Sequence, residues 1–381
     1  MTDSRNTRAL VDLARLERNY RRLRGAHRAG RLMTVLKANA YGHGLVPSAL
    51  CLQGLGQELF AVALLSEALA LREAGIGGRI LVLGPPEPGQ YAACSAHGIE
   101  LTLASLEGVE EALEASLETP LEVHLKLDTG MGRIGLLPGE GGQALAILNG
   151  AKRLRLRGVY SHFAESERME GVFCETQYEA FERFRRLVRV GWRGEPPEFH
   201  LCNSAGLLRD ERFHYDYARV GFALWAPLVF APADAAPPLN RELEPVLTLR
   251  SRISHVKKMR EGMTVGYGRS YACKGGETIA TLPIGYGDGY FRSLSNRGFA
   301  LIGGRRRPIV GNVSMDQTTV SLGEDTAAVG DEAVLLGGEG EAITLAELAV
   351  WAGTIDYEVL TNLSTRIPRT YVRDGRPVDL P

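Results

Sequence analysis

The sequence predicts an α/β fold: an eight-stranded parallel (β/α) barrel followed by a mainly antiparallel β domain. Three observations predict it. Short apolar runs alternate with longer amphipathic ones from about Leu32 to Trp225. A Pro/Ala-rich stretch, "APADAAPPLN" at Ala231 to Asn240, then reads as a linker. Beyond Glu244 the runs are short, β-rich and separated by Gly- and Asp-containing turns. A chain of 381 residues, 45% hydrophobic and 23% charged, has room for both parts. The expected division is 1–235 for the barrel and 236–381 for the β domain, with roughly the first 12 residues a candidate to pair with the second domain.

Taken in order, the candidate barrel strands begin with "LMTVLK", "LFAVA", "RILVLG" and "IELTLA" and continue with "LEVHLKLD", "LRLRGVYSH", "EFHLCN" and "YARVGFALW". Between them, "LLSEALALREAG", "SLEGVEEALEASL" and "CETQYEAFERFRRLVRV" carry apolar residues at three- and four-residue spacing and charges on the other face, the pattern of surface helices. In the second domain "VLTLRSRISHV", "TIATLPIG" and "EAVLLGG" read as strands and "ITLAELAVWAGT" as a helix. Parallel barrels place their chemistry on the loops at the C-terminal ends of their strands. At those ends stand Lys37, Asp128 with "TGMGR", His162, Asn203 with Ser204, and Arg219 with Gly221.

Charge and composition exclude other classes. The 44 basic and 45 acidic residues nearly cancel, so no electrostatic footprint for nucleic acid or an anionic membrane is visible. The opening "MTDSRNTRALVDLARLERNY" lacks a signal peptide's apolar core, and the run around "LFAVALL" is too short to span a bilayer, so a cytoplasmic protein is expected. Cys51, Cys94, Cys174, Cys202 and Cys273 show no paired spacing and read as reduced thiols. The eight histidines form no metal-binding pattern, and none is assigned to a metal.

The stretch "VLKANAYGHG", Val35 to Gly44, places one lysine where an apolar strand enters a loop of small residues. A lysine amine deprotonated by a desolvated or cationic setting attacks an aldehyde to form an imine, although strand-end lysines are commonly no more than solvated. "HLCNSAG" and "ARVGFALW" put Ser204, Gly221 and the amide of Phe222 at the ends of the last two strands, where barrels often hold phosphate. A helix cap at Asn203 or Ser204 and a packing glycine explain each residue equally well when taken singly.

With these residues in view, the chain resembles the alanine racemases, pyridoxal 5'-phosphate enzymes, over essentially its whole length. "VLKANAYGHG" resembles the family's cofactor-lysine signature, which makes Lys37 the residue joined to the cofactor and Tyr41 a neighbour of its phosphate. "LKLDTGMGRIG" resembles a second signature and implies that Arg133 engages the substrate carboxylate, with Lys126 carbamylated beside it in some members. "VGYGRSY", "PIGYGDGY" and "GNVSMDQ" resemble further segments, making Tyr267 the second catalytic base, Tyr286 part of the entrance and Met315 a backbone donor to the substrate. The resemblance also implies a homodimer with shared active sites, interconversion of L- and D-alanine, and supply of D-alanine for cell-wall peptidoglycan.

Racemisation removes the Cα proton from one face and returns one to the other, so two bases must flank the carbon or one must swing across. Lys37 and Tyr267 are the expected pair, with His162 and Arg219 candidates to favour the phenolate. Arg219 has a second implied role at the cofactor's ring nitrogen, where a guanidinium leaves that nitrogen unprotonated. Two departures stand out: Ser314 where many relatives carry cysteine, and Thr365 where many carry a phosphate-binding tyrosine. The shorter Thr365 leaves serine or broad-range racemisation as an alternative. A pyridoxal-dependent decarboxylase is disfavoured, because Cys273 in "RSYACKGG" lacks that group's cysteine- and aspartate-containing context.

Overall fold

The computed structural model describes residues 5–338 and 340–378 and divides into two compact units. One strand precedes the barrel, β1 (Arg8–Asp12). The barrel strands are β2 (Leu32–Val35), β3 (Leu59–Val62), β4 (Arg79–Val82), β5 (Glu100–Leu103), β6 (Leu121–Lys126), β7 (Leu154–Tyr160), β8 (Glu198–His200) and β9 (Ala218–Val220). They form one eight-stranded sheet in the order β8-β7-β6-β5-β4-β3-β2-β9, all pairs parallel. The parallel barrel expected from the sequence is therefore present. Where β8 meets β9, Asp216 N–H bonds Phe199 O at 3.0 Å and Arg219 N–H bonds Cys202 O at 3.1 Å.

The local reasons are plain. Strands β2, β3 and β5 are buried at every position, as expected of parallel strands covered on both faces. Their β-branched and leucine side chains suit that setting. The helix Leu106–Glu114 starts at Ser105, whose hydroxyl accepts Gly108 N–H at 3.0 Å, a standard N-cap. The helix Phe173–Gly191 buries Cys174, Gln177, Phe181, Phe184 and Val188, one stripe at three- and four-residue spacing. The segment Ala231–Asn240 is tied to the barrel unit: Ala231 bonds Glu167 and Met169, and the buried Asn240 amide bonds Leu228 through both its oxygen and its nitrogen.

The second unit holds β10 (Leu247–Arg252), β11 (His255–Lys258), β12 (Thr264–Val265), β13 (Tyr271–Ala272), β14 (Thr278–Leu282), β15 (Phe299–Ile302), β16 (Arg305–Pro308), β17 (Thr318–Gly323), β18 (Glu332–Leu336), β19 (Arg369–Arg373) and β20 (Arg376–Pro377). Its main sheet runs β16-β15-β18-β10-β1-β19-β20, joined by a three-stranded β11-β14-β17 sheet and a β12-β13 hairpin. Every pair is antiparallel except β1 with β19. The N-terminal strand β1 sits between β10 and β19, with Ala9 opposite Leu249 and Arg369. Alternation explains its place: Ala9 and Val11 are fully buried, and Arg8, Leu10 and Asp12 are not. Tyr41–Gly44 also belongs to this unit. No helix among the described residues is long and apolar enough to cross a membrane.

Candidate active site

Lys37 leaves β2 just after Leu36, whose N–H still bonds Ala61 O at 2.8 Å. The chain then enters a left-handed turn: Ala38, Asn39, Ala40 and Tyr41 have φ of 54°, 55°, 53° and 51°. For residues with a side chain this conformation costs about 1–2 kcal/mol each, so it persists only where contacts over-determine it. They do. Ala38 N–H bonds Glu67 Oε1 at 2.7 Å, Ala40 N–H bonds Leu36 O at 2.7 Å, and Asn39 Oδ1 accepts Leu45 N–H at 2.8 Å. Gly42 continues the turn at φ 81°, and a Cβ there would collide with the Leu360 carbonyl. Burial, then the charge of Arg133, push the Lys37 amine below its ordinary value, while Glu67 acts in the opposite sense.

Across the rim, Lys126 ends β6, 3% exposed, with Nζ donating to Ile134 O at 2.8 Å. Burial, then Arg219 and Arg133, lower it to about 8. The loop beyond it is folded back by Asp128, whose carboxylate accepts Gly130 N–H at 2.8 Å and Gly132 N–H at 3.1 Å. This turn carries Arg133, an exposed residue whose charge is felt at Lys37, Lys126, Tyr160 and His162.

Arg219 lies 4% exposed on β9. Nη1 bonds His200 Nδ1 at 2.9 Å and His200 O at 3.0 Å; Nη2 bonds Ser161 O at 2.6 Å, Leu201 O at 3.0 Å and His162 Nδ1 at 3.2 Å. Its Nε–H alone has no acceptor among the described residues. His162 and His200 are both held well below the ordinary histidine value, first by burial and then by Arg219. Both rings are therefore neutral and accept from the guanidinium.

From Arg219 a buried chain runs down the barrel. With Nδ1 of His200 accepting, its Nε2–H donates to His124 Nδ1 at 3.0 Å, and His124 Nε2–H donates to Glu100 Oε2 at 2.8 Å. Glu100 also pairs with Arg79, which reaches Glu198, which reaches Arg31. Burial pushes the Glu100 carboxyl up, but His124 and Arg79 outweigh it and hold it near about 2. Rings stack beside the chain: Tyr160 on His200 with centroids 4.7 Å apart, His200 on Tyr217 at 4.6 Å, and Arg219 over Tyr160 at 5.0 Å.

Asn203 caps the helix Ser204–Arg209, its Oδ1 accepting Gly206 N–H at 2.8 Å and the Ser166 hydroxyl at 2.9 Å. Ser204 Oγ accepts Gly221 N–H at 3.1 Å and Ala223 N–H at 3.4 Å, which gathers Ser204, Gly221 and Phe222 at the ends of β8 and β9. In the second unit the loop 311–317 is the hub. Asn312 Nδ2 donates to Tyr267 O at 2.7 Å, Tyr286 N–H bonds Ser314 O at 3.0 Å, and Gly287 N–H bonds Met315 O at 2.9 Å. Tyr267, Met315 and Tyr286 are 76%, 53% and 43% exposed, and Thr365 is exposed too. The barrel thus brings Lys37, Lys126, Arg133, His162 and Arg219 together, and the second unit brings Tyr267, Tyr286 and Met315 together.

Sequence reasoning passes over Glu67, Glu100, His124 and His200. A signal exists for three of them. Glu100 is a carboxylate inside a buried strand, His124 shares a strand face with Lys126 two residues on, and His200 opens the "HLC" run that reads as strand alternation. Glu67 gives none, because its partners lie in another loop.

A family model described as the alanine racemase N-terminal domain matches residues 11–227, and the C-terminal domain model matches residues 246–371. Alanine racemase of Carboxydothermus hydrogenoformans is 42% identical over 96% of this chain and 99% of its own length. Alanine racemase 2 of Bacillus subtilis is 39% identical over 96% of this chain and 94% of its own. The crystal structure of alanine racemase from Bacillus anthracis with bound L-Ala-P gives a TM-score of 0.92 at 35% identity, covering 100% of this chain and 98% of that one. With both family models matched in order and full-length likeness in sequence and fold, this chain belongs to the alanine racemase family.

Proposed function

We propose that the protein is an alanine racemase that interconverts L- and D-alanine with pyridoxal 5'-phosphate, using Lys37 and Tyr267 as its two bases. The observation that carries this reading is the pairing, on one barrel rim, of a lysine amine pushed below its ordinary value with an arginine whose Nε–H has no acceptor among the described residues. That donor set fits the cofactor: the amine suits its aldehyde, and Nε–H suits an unprotonated ring nitrogen. Ser204, Gly221 and Phe222, with Tyr41, are the residues proposed to hold its phosphate, and His162 and Asn203 to line the ring's surroundings. When bound, the cofactor supplies an electron-withdrawing ring that acidifies the substrate Cα–H.

The chain's residues do the rest. Arg133 binds the substrate carboxylate as a bidentate donor, and the backbone N–H of Met315 supports the same end. Lys37 handles the Cα proton on one face, that of the D-isomer, and Tyr267 on the other, that of the L-isomer. Tyr286 lines the approach. Arg219 keeps its own proton: its Nη groups are fixed by five contacts, and a guanidinium does not act as a proton donor near neutrality. Lys126, lowered to about 8, has free amine available to add carbon dioxide, forming an N–C bond and releasing a proton. The carbamate anion would sit in the positive field of Arg219 and Arg133, which otherwise works against the ammonium.

The assembly proposed is a homodimer in which Tyr267 of the partner subunit completes each site; the exposure of Tyr267, Met315 and Tyr286 supports it. Peptide mapping after borohydride reduction tests the core of the proposal. A reduced pyridoxyl group on Lys37 is expected, and its appearance on another lysine, or on none, would overturn the reading.

A further inference from the structure

Glu67 takes no part in the proposed chemistry, yet two loops meet on its carboxylate. It lies in the first turn of the helix Leu65–Glu73. Oε2 accepts the N–H groups of Ala63 at 2.9 Å and Leu64 at 3.2 Å, which caps its own helix. Oε1 leaves that helix and accepts the N–H groups of Ala38 at 2.7 Å and Asn39 at 3.4 Å, the first two residues after Lys37.

We propose that Glu67 is a positioning residue for Lys37: its carboxylate holds the left-handed turn after the lysine and fixes a negative charge beside the amine. The inference rests on the reading of Lys37 as the reactive lysine, and it adds what sets that lysine's direction and protonation. Two observations separate it from simple capping. The helix Pro138–Gly150 has the same cap, Glu140 Oε2 on Leu137 N–H at 2.8 Å, and among the described residues that carboxylate bonds nothing outside its own turn. Glu67 devotes a whole oxygen to another loop. Its charge also matters to the amine. Burial and Arg133 disfavour the Lys37 ammonium, His162 is neutral and adds no compensating charge, and Glu67 is the carboxylate that acts against them. An amine that must accept a Cα proton needs its ammonium supported by some such charge.

Glutamine in place of Glu67 offers one carbonyl oxygen to two pairs of N–H donors, so its NH2 must face one pair, and the charge is lost. The test is peptide-resolved amine labelling of Lys37 across pH, on the full chain after hydroxylamine and dialysis have freed the amine. In Glu67→Gln the labelling midpoint should move to lower pH, because removing a negative charge disfavours the ammonium. In Glu140→Gln, which loses a cap alone, the midpoint should stay at the wild-type position. An unmoved midpoint in Glu67→Gln overturns the proposal. Amide exchange on the wild-type protein needs no variant to fold: the N–H groups of Ala38 and Asn39 should exchange at least ~100-fold more slowly than unprotected amides. Exchange at the unprotected rate overturns it equally. Labelling reads the amine rather than turnover, so a wrong racemase reading would instead show as absent D-alanine, whatever the midpoint does.

Discussion

At the scale of single residues, Arg219 and Lys126 carry opposite lessons about buried cations. Arg219 is supported by five contacts to oxygen and imidazole nitrogen, so it stays charged in spite of burial. Arg219→Glu would put a proton-sharing group at the proposed ring nitrogen. The variant is expected to lose racemisation by roughly 100-fold and to release pyruvate by transamination, up to one equivalent per site and in turnover only with an added 2-oxo acid to take the amino group, read by a coupled assay. Absence of pyruvate would leave Arg219 a structural cation only. Lys126 donates to one acceptor among the described residues and is lowered to about 8. Unfolded, it titrates near about 10.4. Between those values the unfolded chain binds more protons than the folded one, so stability rises as pH increases through that window. Below it both states are protonated and the folded state carries the full penalty, on the order of 3 kcal/mol. Lys126→Met should therefore stabilise the uncarbamylated protein at pH 7 by up to about that amount, with the difference closing toward pH 10 in denaturant titrations.

At the scale of elements, the strands place one charged or polar side chain after another into the barrel interior. Glu100 on β5, His124 on β6, His200 on β8 and Arg219 on β9 form a directed series in which each tautomer is set by its neighbour. Glu100→Gln leaves Arg79 short of a buried partner and removes the acceptor that fixes His124. A loss of about 3–5 kcal/mol in unfolding free energy is expected, and a cost below about 1 kcal/mol would mean the series is not maintained by charge. The strands themselves were legible, because buried parallel strands between amphipathic helices have a readable pattern. The interior series was not. Its partners are 19 to 76 residues apart, and only barrel closure brings them together. The turn after Lys37 was illegible for another reason: Asn39 tolerates positive φ, but Ala38 and Ala40 on either side have no local preference for it, and long-range bonds impose it on the run.

At the scale of the whole molecule, the two units share the proposed work unequally. The barrel supplies Lys37, Arg133 and Arg219; the β domain supplies Tyr267, Tyr286 and Met315 on an exposed loop cluster. Family-like motifs single out both groups in the sequence, but no periodicity records which copy of the chain Tyr267 serves. Mixing inactive Lys37→Ala with inactive Tyr267→Phe under subunit exchange answers that. If sites are shared across a two-fold dimer, each heterodimer has one intact site, and activity should recover to about a quarter of wild type. No recovery despite demonstrated exchange would place both bases in one subunit.

The most direct test of the two-base account is the isotopic content of D-alanine formed from L-alanine in D2O, read by chiral separation and mass spectrometry in the first few per cent of conversion. Removal on one face and delivery on the other by separate groups predicts D-alanine carrying deuterium at Cα while the remaining L-alanine is still largely protiated. D-alanine retaining the original protium would show one group carrying the proton across, and no D-alanine at all would contradict the proposed function itself.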